Sequence, residues 1–172
     1  MVESSSQELI FITGITGYLG SHVALSLFNT YGTRFKLRAS VRSLANKNKL
    51  EPLRKAFGEE NYSLIEFVEA DLSSKDALFK AIEGAAYIIH VANPLPGTQK
   101  ISEEQMIQPA IQGMKTIIEA SLQHKVKRIV VTSSLASVMG GVWKKGTGDN
   151  LYSEKDFAPP EGADAYGRSK IA

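Results

Sequence analysis

The sequence predicts an α/β fold, a doubly wound parallel sheet, on three observations. Short apolar runs of strand length alternate with longer amphipathic segments, the strand runs are apolar almost throughout, and glycine or proline stops nearly every element. Near-continuous apolar strands require burial on both faces, which is the condition of a parallel sheet covered by helices. Its crossovers should be right-handed. At 172 residues the chain is long enough for one domain that buries roughly two-thirds of its unfolded surface. It divides into a polar tail over 1–8 and a folded domain over 9–172.

Taken in order, the first strand covers 9–13 and ends at Gly14. The helix after it begins near Tyr18, turns Leu19, Val23, Leu25, Leu27 and Phe28 inward and stops at Gly32. A second strand covers 35–41. Residues 44–57 read as a charged amphipathic helix closed by Gly58 and kinked or divided at Pro52. The third strand is 64–68, after which Ser74 caps a helix through Ala77, Leu78, Ala81 and Ile82 to Gly84. A fourth strand covers 87–91, followed by turn chemistry at 93–97. Ser102 and Gln105 offer a capping box for a long helix to about Gln123, with Pro109 inside it. The fifth strand is 129–132. Glycine and proline then dominate 140–162, a loop too long for a simple connector and so a candidate mouth of a binding site. The last helix starts near Asp164.

Composition narrows the function. The formal charge of +2 comes from 20 basic and 18 acidic residues spread along the chain, so no broad field exists for a nucleic-acid backbone or a membrane surface. The absence of cysteine removes disulfides, thiolate catalysis and cysteine-type zinc sites and suits a reducing compartment, with the cytoplasm as the expected address. The first eight residues carry two acids, no early base and no long apolar core, unlike a signal or transit peptide. His22, His90 and His124 lack neighbouring ligand types at metal spacing, so they should be packed residues and no metal is expected.

Chemistry concentrates in two places. Thr13-Gly14-Ile15-Thr16-Gly17-Tyr18-Leu19-Gly20 sets three glycines between a strand and a helix. Gly14 permits the tight turn, Gly17 lets backbone approach a pyrophosphate, and Gly20 lets the helix pack closely. A phosphate there would meet the unpaired amides and positive end of the helix; a glycine turn without a ligand is the competing reading. An acid about 20 residues onward would suit the ribose hydroxyl of NAD. The sequence has Arg38 and Arg42 instead, whose planar donors suit a 2′-phosphate, so NADP is the expected cofactor. Lys47 is a further cation, at a place where solvated lysines are common. By spacing alone, Asp71 starts a turn. The second place is Tyr166-Gly167-Arg168-Ser169-Lys170, where a phenol and an ammonium four residues apart share a helix face. A phenol is a weak acid at neutral pH, and an adjacent cation stabilises its anion. Thr132, Ser133 and Ser134 end the fifth strand, where ligands of an open parallel sheet gather.

The G-x-x-G-x-x-G spacing resembles the TGxxGxxG signature of the short-chain dehydrogenase/reductase superfamily, extended type, also called the NAD-dependent epimerase/dehydratase superfamily. The order glycine turn, Arg38, Asp71, His90-Val91-Ala92, Ser134, Tyr166 and Lys170 resembles dihydroflavonol 4-reductases, cinnamoyl-CoA reductases and yeast-type carbonyl reductases. The resemblance implies an NADP-binding Rossmann fold and a reductase that delivers hydride from NADPH to a ketone or aldehyde, a small-molecule carbonyl substrate. It puts Gly14, Thr16, Gly17, Tyr18, Leu19 and Gly20 on the phosphates, Asp71 and Leu72 on the adenine, and Val91, Ala92, Pro94, Thr132 and Ser133 along the cofactor. It makes Ser134, Tyr166 and Lys170 the catalytic set, Ser134 polarising the carbonyl, Tyr166 giving the proton and Lys170 holding the ribose, with Tyr166 and Lys170 both also counted among the cofactor-binding residues. It further implies a sixth strand and a C-terminal substrate domain beyond Lys170, so the chain should be truncated before them. Oxidation of a hydroxysteroid, epimerisation or dehydration of a nucleotide sugar, and non-catalytic NADP binding by a regulatory protein remain alternatives on the same fold. Arg38 disfavours the nucleotide-sugar reading, which usually uses NAD.

Overall fold

A computed structural model describes residues 7–94, 102–139, 152–153 and 155–171. Eleven elements follow one another as β1 (Glu8–Thr13), α1 (Tyr18–Tyr31), β2 (Phe35–Val41), α2 (Lys47–Ser63), β3 (Ile65–Glu69), α3 (Lys75–Ile82), β4 (Ala85–His90), α4 (Glu103–Gln123), β5 (Arg128–Val131), α5 (Ala136–Met139) and α6 (Ala165–Ile171). The five strands form one sheet in the order β3-β2-β1-β4-β5, every pair parallel. The order reverses between β1 and β4. In an open α/β sheet that switch point, at the carboxyl ends of the strands, is where a ligand finds a crevice.

The alternation of side chains along β1 builds both cores. Ile12 joins Ala24 and Phe28 of α1 and Leu53 and Phe57 of α2 on one face. Phe11 joins Leu78 and Ile82 of α3 and Ile117 and Ala120 of α4 on the other. Phe11 and Ile12 are wholly buried, each worth about 1.5–3 kcal/mol of transfer free energy. Helix α1 buries Gly20, Ala24 and Phe28, spaced by four along one stripe. Leu19, expected inward, instead stays 45% exposed at the start of the helix.

Local features follow the expectation in some places and depart from it in others, each for a physical reason. β1 begins at Glu8, which pairs with Phe35, so the sheet claims the last residue of the polar tail. Pro52 sits inside α2 and costs it one internal hydrogen bond. The actual break comes at Gly58, with φ 72 and ψ 162, angles open to glycine alone. The capping box at Ser102 and Gln105 forms reciprocally, Gln105 N donating to Ser102 Oγ (3.2 Å) and Ser102 N to Gln105 Oε1 (2.8 Å). Ser74 occupies the cap position of α3, but its side chain makes no capping bond. The four-residue α5 had no counterpart in the expected elements. β5 is a sheet edge, where Val130 and Val131, on opposite faces, are 54% and 44% exposed.

Two compact units divide the chain, Met1–Ala92 with Lys115–Thr132, and Asn93–Met114 with Ser133–Ala172. Most of the candidate mouth over 140–162 and part of the turn at 93–97 lie outside the described residues. No described helix is long and apolar enough to cross a membrane. Among the described residues no cluster of histidine, aspartate and glutamate could hold a metal ion.

Candidate functional site

In the first unit, the glycine turn is shaped by three close approaches. Gly14 has φ 76, and a Cβ on it would lie 2.8 Å from the Ala92 amide nitrogen, so the turn after β1 rests directly on the chain after β4. A Cβ on Gly20 would come 2.1 Å from the Gly14 carbonyl oxygen, so α1 is packed onto its own turn. Gly17 caps α1 without a side-chain bond, and its amide donates to Gly14 O at 3.0 Å. The first turn of α1 carries no acid, and Tyr18 stands 84% exposed beside it, its ring 4.5 Å from that of His22. Amides at an uncapped helix start are unpaired donors aimed outward.

Thr13 joins the two strand ends at the switch point. Its buried hydroxyl accepts hydrogen bonds from the amides of Val91 (3.2 Å) and Ala92 (3.1 Å), which use both lone pairs. Its hydrogen therefore goes to Nδ1 of buried His90 at 2.7 Å, which fixes His90 as the Nε2–H tautomer. His90 is thus a packed residue that holds backbone. Thr13, only a flanking residue in the sequence reading, is the hydroxyl that organises this edge. A threonine closing an apolar strand was the available signal.

Arg38 is placed differently from its expected role. Its Nε donates to Glu66 Oε2 at 2.9 Å, and its Nη1 donates to the carbonyls of Ala81 (2.9 Å) and Glu83 (2.7 Å). Those carbonyls close α3, and a helix that returns between parallel strands ends at the amino edge of the sheet. The guanidinium is thus a cap for a negative helix end on the side away from the glycine turn, a placement that differs from the expected contact with a 2′-phosphate. Arg42 comes immediately after β2 at the carboxyl edge, exposed and with no ion-pair partner among the described residues. Lys47 opens α2, also exposed. Asp71 makes the turn that its spacing allowed, Oδ1 accepting from Ser73 N (2.9 Å) and Ser73 Oγ (2.6 Å). Its Oδ2 has no hydrogen-bond partner among the described residues. Leu72 is half-buried against the second core. Thr132 extends β5 by donating its amide to His90 O at 2.9 Å.

The second unit carries the other group, in which α5 packs against α6. Ser134 Oγ accepts from the Ala136 amide at 3.2 Å, and its hydroxyl hydrogen has no acceptor among the described residues. Ser133 and Ser137 lie Oγ to Oγ at 3.0 Å, and Ser137 Oγ donates to Ser134 O at 2.6 Å. α6 starts where Asp164 Oδ1 accepts from the Gly167 amide at 2.7 Å, a side-chain cap on the third residue of the helix. Gly167 is buried, and a Cβ there would meet Ala163 Cβ at 3.1 Å. Arg168 Nη2 pairs with Glu103 Oε1 at 2.5 Å and ties α6 to the start of α4. On this anchored helix Lys170 Nζ lies 6.0 Å from the centre of the half-buried Tyr166 ring. Pro94 belongs to this unit, where its carbonyl accepts from Asn93 Nδ2 at 3.2 Å.

Residues 10–172 match the model of the NAD dependent epimerase/dehydratase family. The chain belongs to that family. Within it, the chain is 31% identical to dihydroflavonol 4-reductase of Arabidopsis thaliana over 91% of its own length and 39% of that protein's. It is 35% identical to the ketoreductase sphI of Aspergillus fumigatus over 81% of its length and 41% of that protein's. Among solved structures, the yeast methylglyoxal/isovaleraldehyde reductase Gre2 complexed with NADPH superimposes with a TM-score of 0.73 at 26% identity, covering 95% of this chain and 49% of that one. The chain therefore spans half or less of the length of these relatives. The dinucleotide in the family's name fits the residues present. Three glycines let the turn close tightly on its own backbone, the α1 amides are uncapped, no acid stands in the first turn of α1 against an anion, and an exposed arginine follows β2.

Proposed function

We propose that the chain is the nucleotide-binding part of an NADPH-dependent reductase acting on a ketone or aldehyde. The turn from Gly14 to Gly20 would hold the pyrophosphate, with Thr16, Tyr18 and Leu19 along it and Arg42 on the 2′-phosphate. Asp71 and Leu72 would bound the adenine, and Val91, Ala92, Pro94, Thr132 and Ser133 would flank the rest of the cofactor. When bound, NADPH supplies a hydride. The observation that carries the reading is a hydroxyl with a spare hydrogen two residues before α5, the element that packs against the helix bearing a phenol and an ammonium.

Each group has one task. Ser134 donates its uncommitted hydrogen to the substrate oxygen and so stabilises charge that grows there. Tyr166 supplies the proton that completes the alcohol, and the positive charge of Lys170 beside the ring stabilises the phenolate left behind. The decisive test follows NADPH absorbance in full-length protein offered a panel of ketones and aldehydes. Tyr166→Phe should lower turnover by about 10²–10⁴-fold while NADPH affinity stays within about twofold. An undiminished rate would overturn the mechanism, and NADPH binding without turnover on any carbonyl compound would favour a regulatory binding protein.

A further inference from the structure

We infer that Ser137 is a positioning residue that gives different roles to the two hydroxyls on the residues before the short helix, tying up the hydrogen of Ser133 as a donor to Ser137 and leaving Ser134 as the donor to the substrate oxygen. The inference rests on the reductase reading above. A serine hydroxyl has one hydrogen and two lone pairs, so each contact can be assigned a direction. Ser137 Oγ stands 2.6 Å from the Ser134 carbonyl oxygen, which can only accept, and Ser137 spends its hydrogen there. The 3.0 Å contact between Ser133 and Ser137 must then use the hydrogen of Ser133. Ser134 Oγ already accepts from the Ala136 amide, and its own hydrogen has no acceptor among the described residues. Of two adjacent hydroxyls, one is committed and the other is free.

Ser137 also fixes the peptide that carries the donor. The Ser134 carbonyl accepts from both the amide of Ser137 (3.1 Å) and its hydroxyl, so the side chain doubles the hold that the short α5 has on that carbonyl. Ser137 O in turn accepts from the Ala158 amide at 2.9 Å, a backbone bond that survives any change of side chain. Truncating Ser137 therefore leaves the scaffold in place. It releases the Ser133 hydrogen from its acceptor and removes the side-chain hold on the Ser134 carbonyl.

The experiment compares Ser137→Ala and Ser137→Thr in full-length protein, measuring kcat, KM for NADPH and carbonyl substrate, and Tm. Loss of one positioning hydrogen bond should lower kcat about three- to tenfold in the alanine variant, with KM for NADPH unchanged. Threonine keeps the hydroxyl and should restore kcat to within about twofold. Should the alanine variant not fold, Ser137→Cys replaces it, with nearly the same volume, a weak donor and the same expected loss. Wild-type kcat in the alanine or cysteine variant, or an equal loss in the threonine variant, would overturn the inference. Ser134→Ala separates the two levels. Full turnover in that variant sinks the reductase site itself, whereas abolished turnover beside an unaffected Ser137→Ala sinks only the role of Ser137.

Discussion

Two arginines four positions apart, Arg38 and Arg42, show how much a single side chain's surroundings decide. Arg38 is spent on Glu66 and on the carbonyls that end α3, while Arg42 follows the last residue of β2 with no ion-pair partner among the described residues. Charge-assisted hydrogen bonds contribute about 1.5–3 kcal/mol, so Arg42→Ala should weaken NADPH binding by roughly 10–100-fold while NADH changes less than about threefold. Arg38→Ala should lower Tm and leave the NADPH-to-NADH ratio of dissociation constants where it was. Isothermal titration with both nucleotides, beside thermal melts, checks the pair. The residue types were legible in the sequence, but their directions were not. Distance from the carboxyl edge depends on where β2 ends and on its register with β3, and no count along the chain contains that register. Ser137 escaped notice for a related reason, since its importance lies in two hydrogen bonds across one turn of a four-residue helix.

At the level of elements, the turn between β1 and α1 makes the strongest demand on residue choice. A methyl group on Gly20 would sit 2.1 Å from the Gly14 carbonyl oxygen, so either the turn or the helix must move. Overpacking of that kind costs about 1–3 kcal/mol, and Gly20→Ala should lose both melting temperature and NADPH affinity. Gly32 provides the contrast. It has φ 57 and ψ -127, but a Cβ there meets nothing within 4 Å, so Gly32→Ala should cost about 1–3 kcal/mol of backbone strain and leave binding intact. Thermal melts and a nucleotide titration of both variants separate the effects. The existence and order of the strands and long helices were readable because their apolar periods are strong. Element ends were less so. The sequence placed the end at Gly58 but also a kink or break at Pro52, which is absent because proline removes one bond yet keeps helical angles, whereas glycine leaves the helical region altogether.

On the scale of the whole molecule, the parallel sheet separates function from fastening. The carboxyl edge carries the glycine turn and the Thr13 junction, whereas the amino edge is tied by Glu8, which accepts from Tyr87 Oη at 3.0 Å and pairs with Lys127. The hydrogen bond from Lys127, then that from Tyr87, holds the Glu8 carboxyl below its ordinary range. A depressed carboxylate contributes stability at pH above its unfolded value and loses it as pH falls through the folded one. Glu8→Gln should therefore flatten that part of the acid limb of stability, read by denaturant melts from neutral to acid pH, and a limb of unchanged slope would exclude Glu8 as a contributor. The parallel sheet followed from the alternation of strand and helix, whereas its strand order and the reversal at β1 came only with the structure. The open side of β5 carries a further consequence. With Val130 and Val131 both partly bare and no described strand beyond them, its outer row of amides and carbonyls is a template onto which another extended chain can zip. Arg128 is the single charge on that strand, and a lone charge on an edge weakens its pairing with another copy.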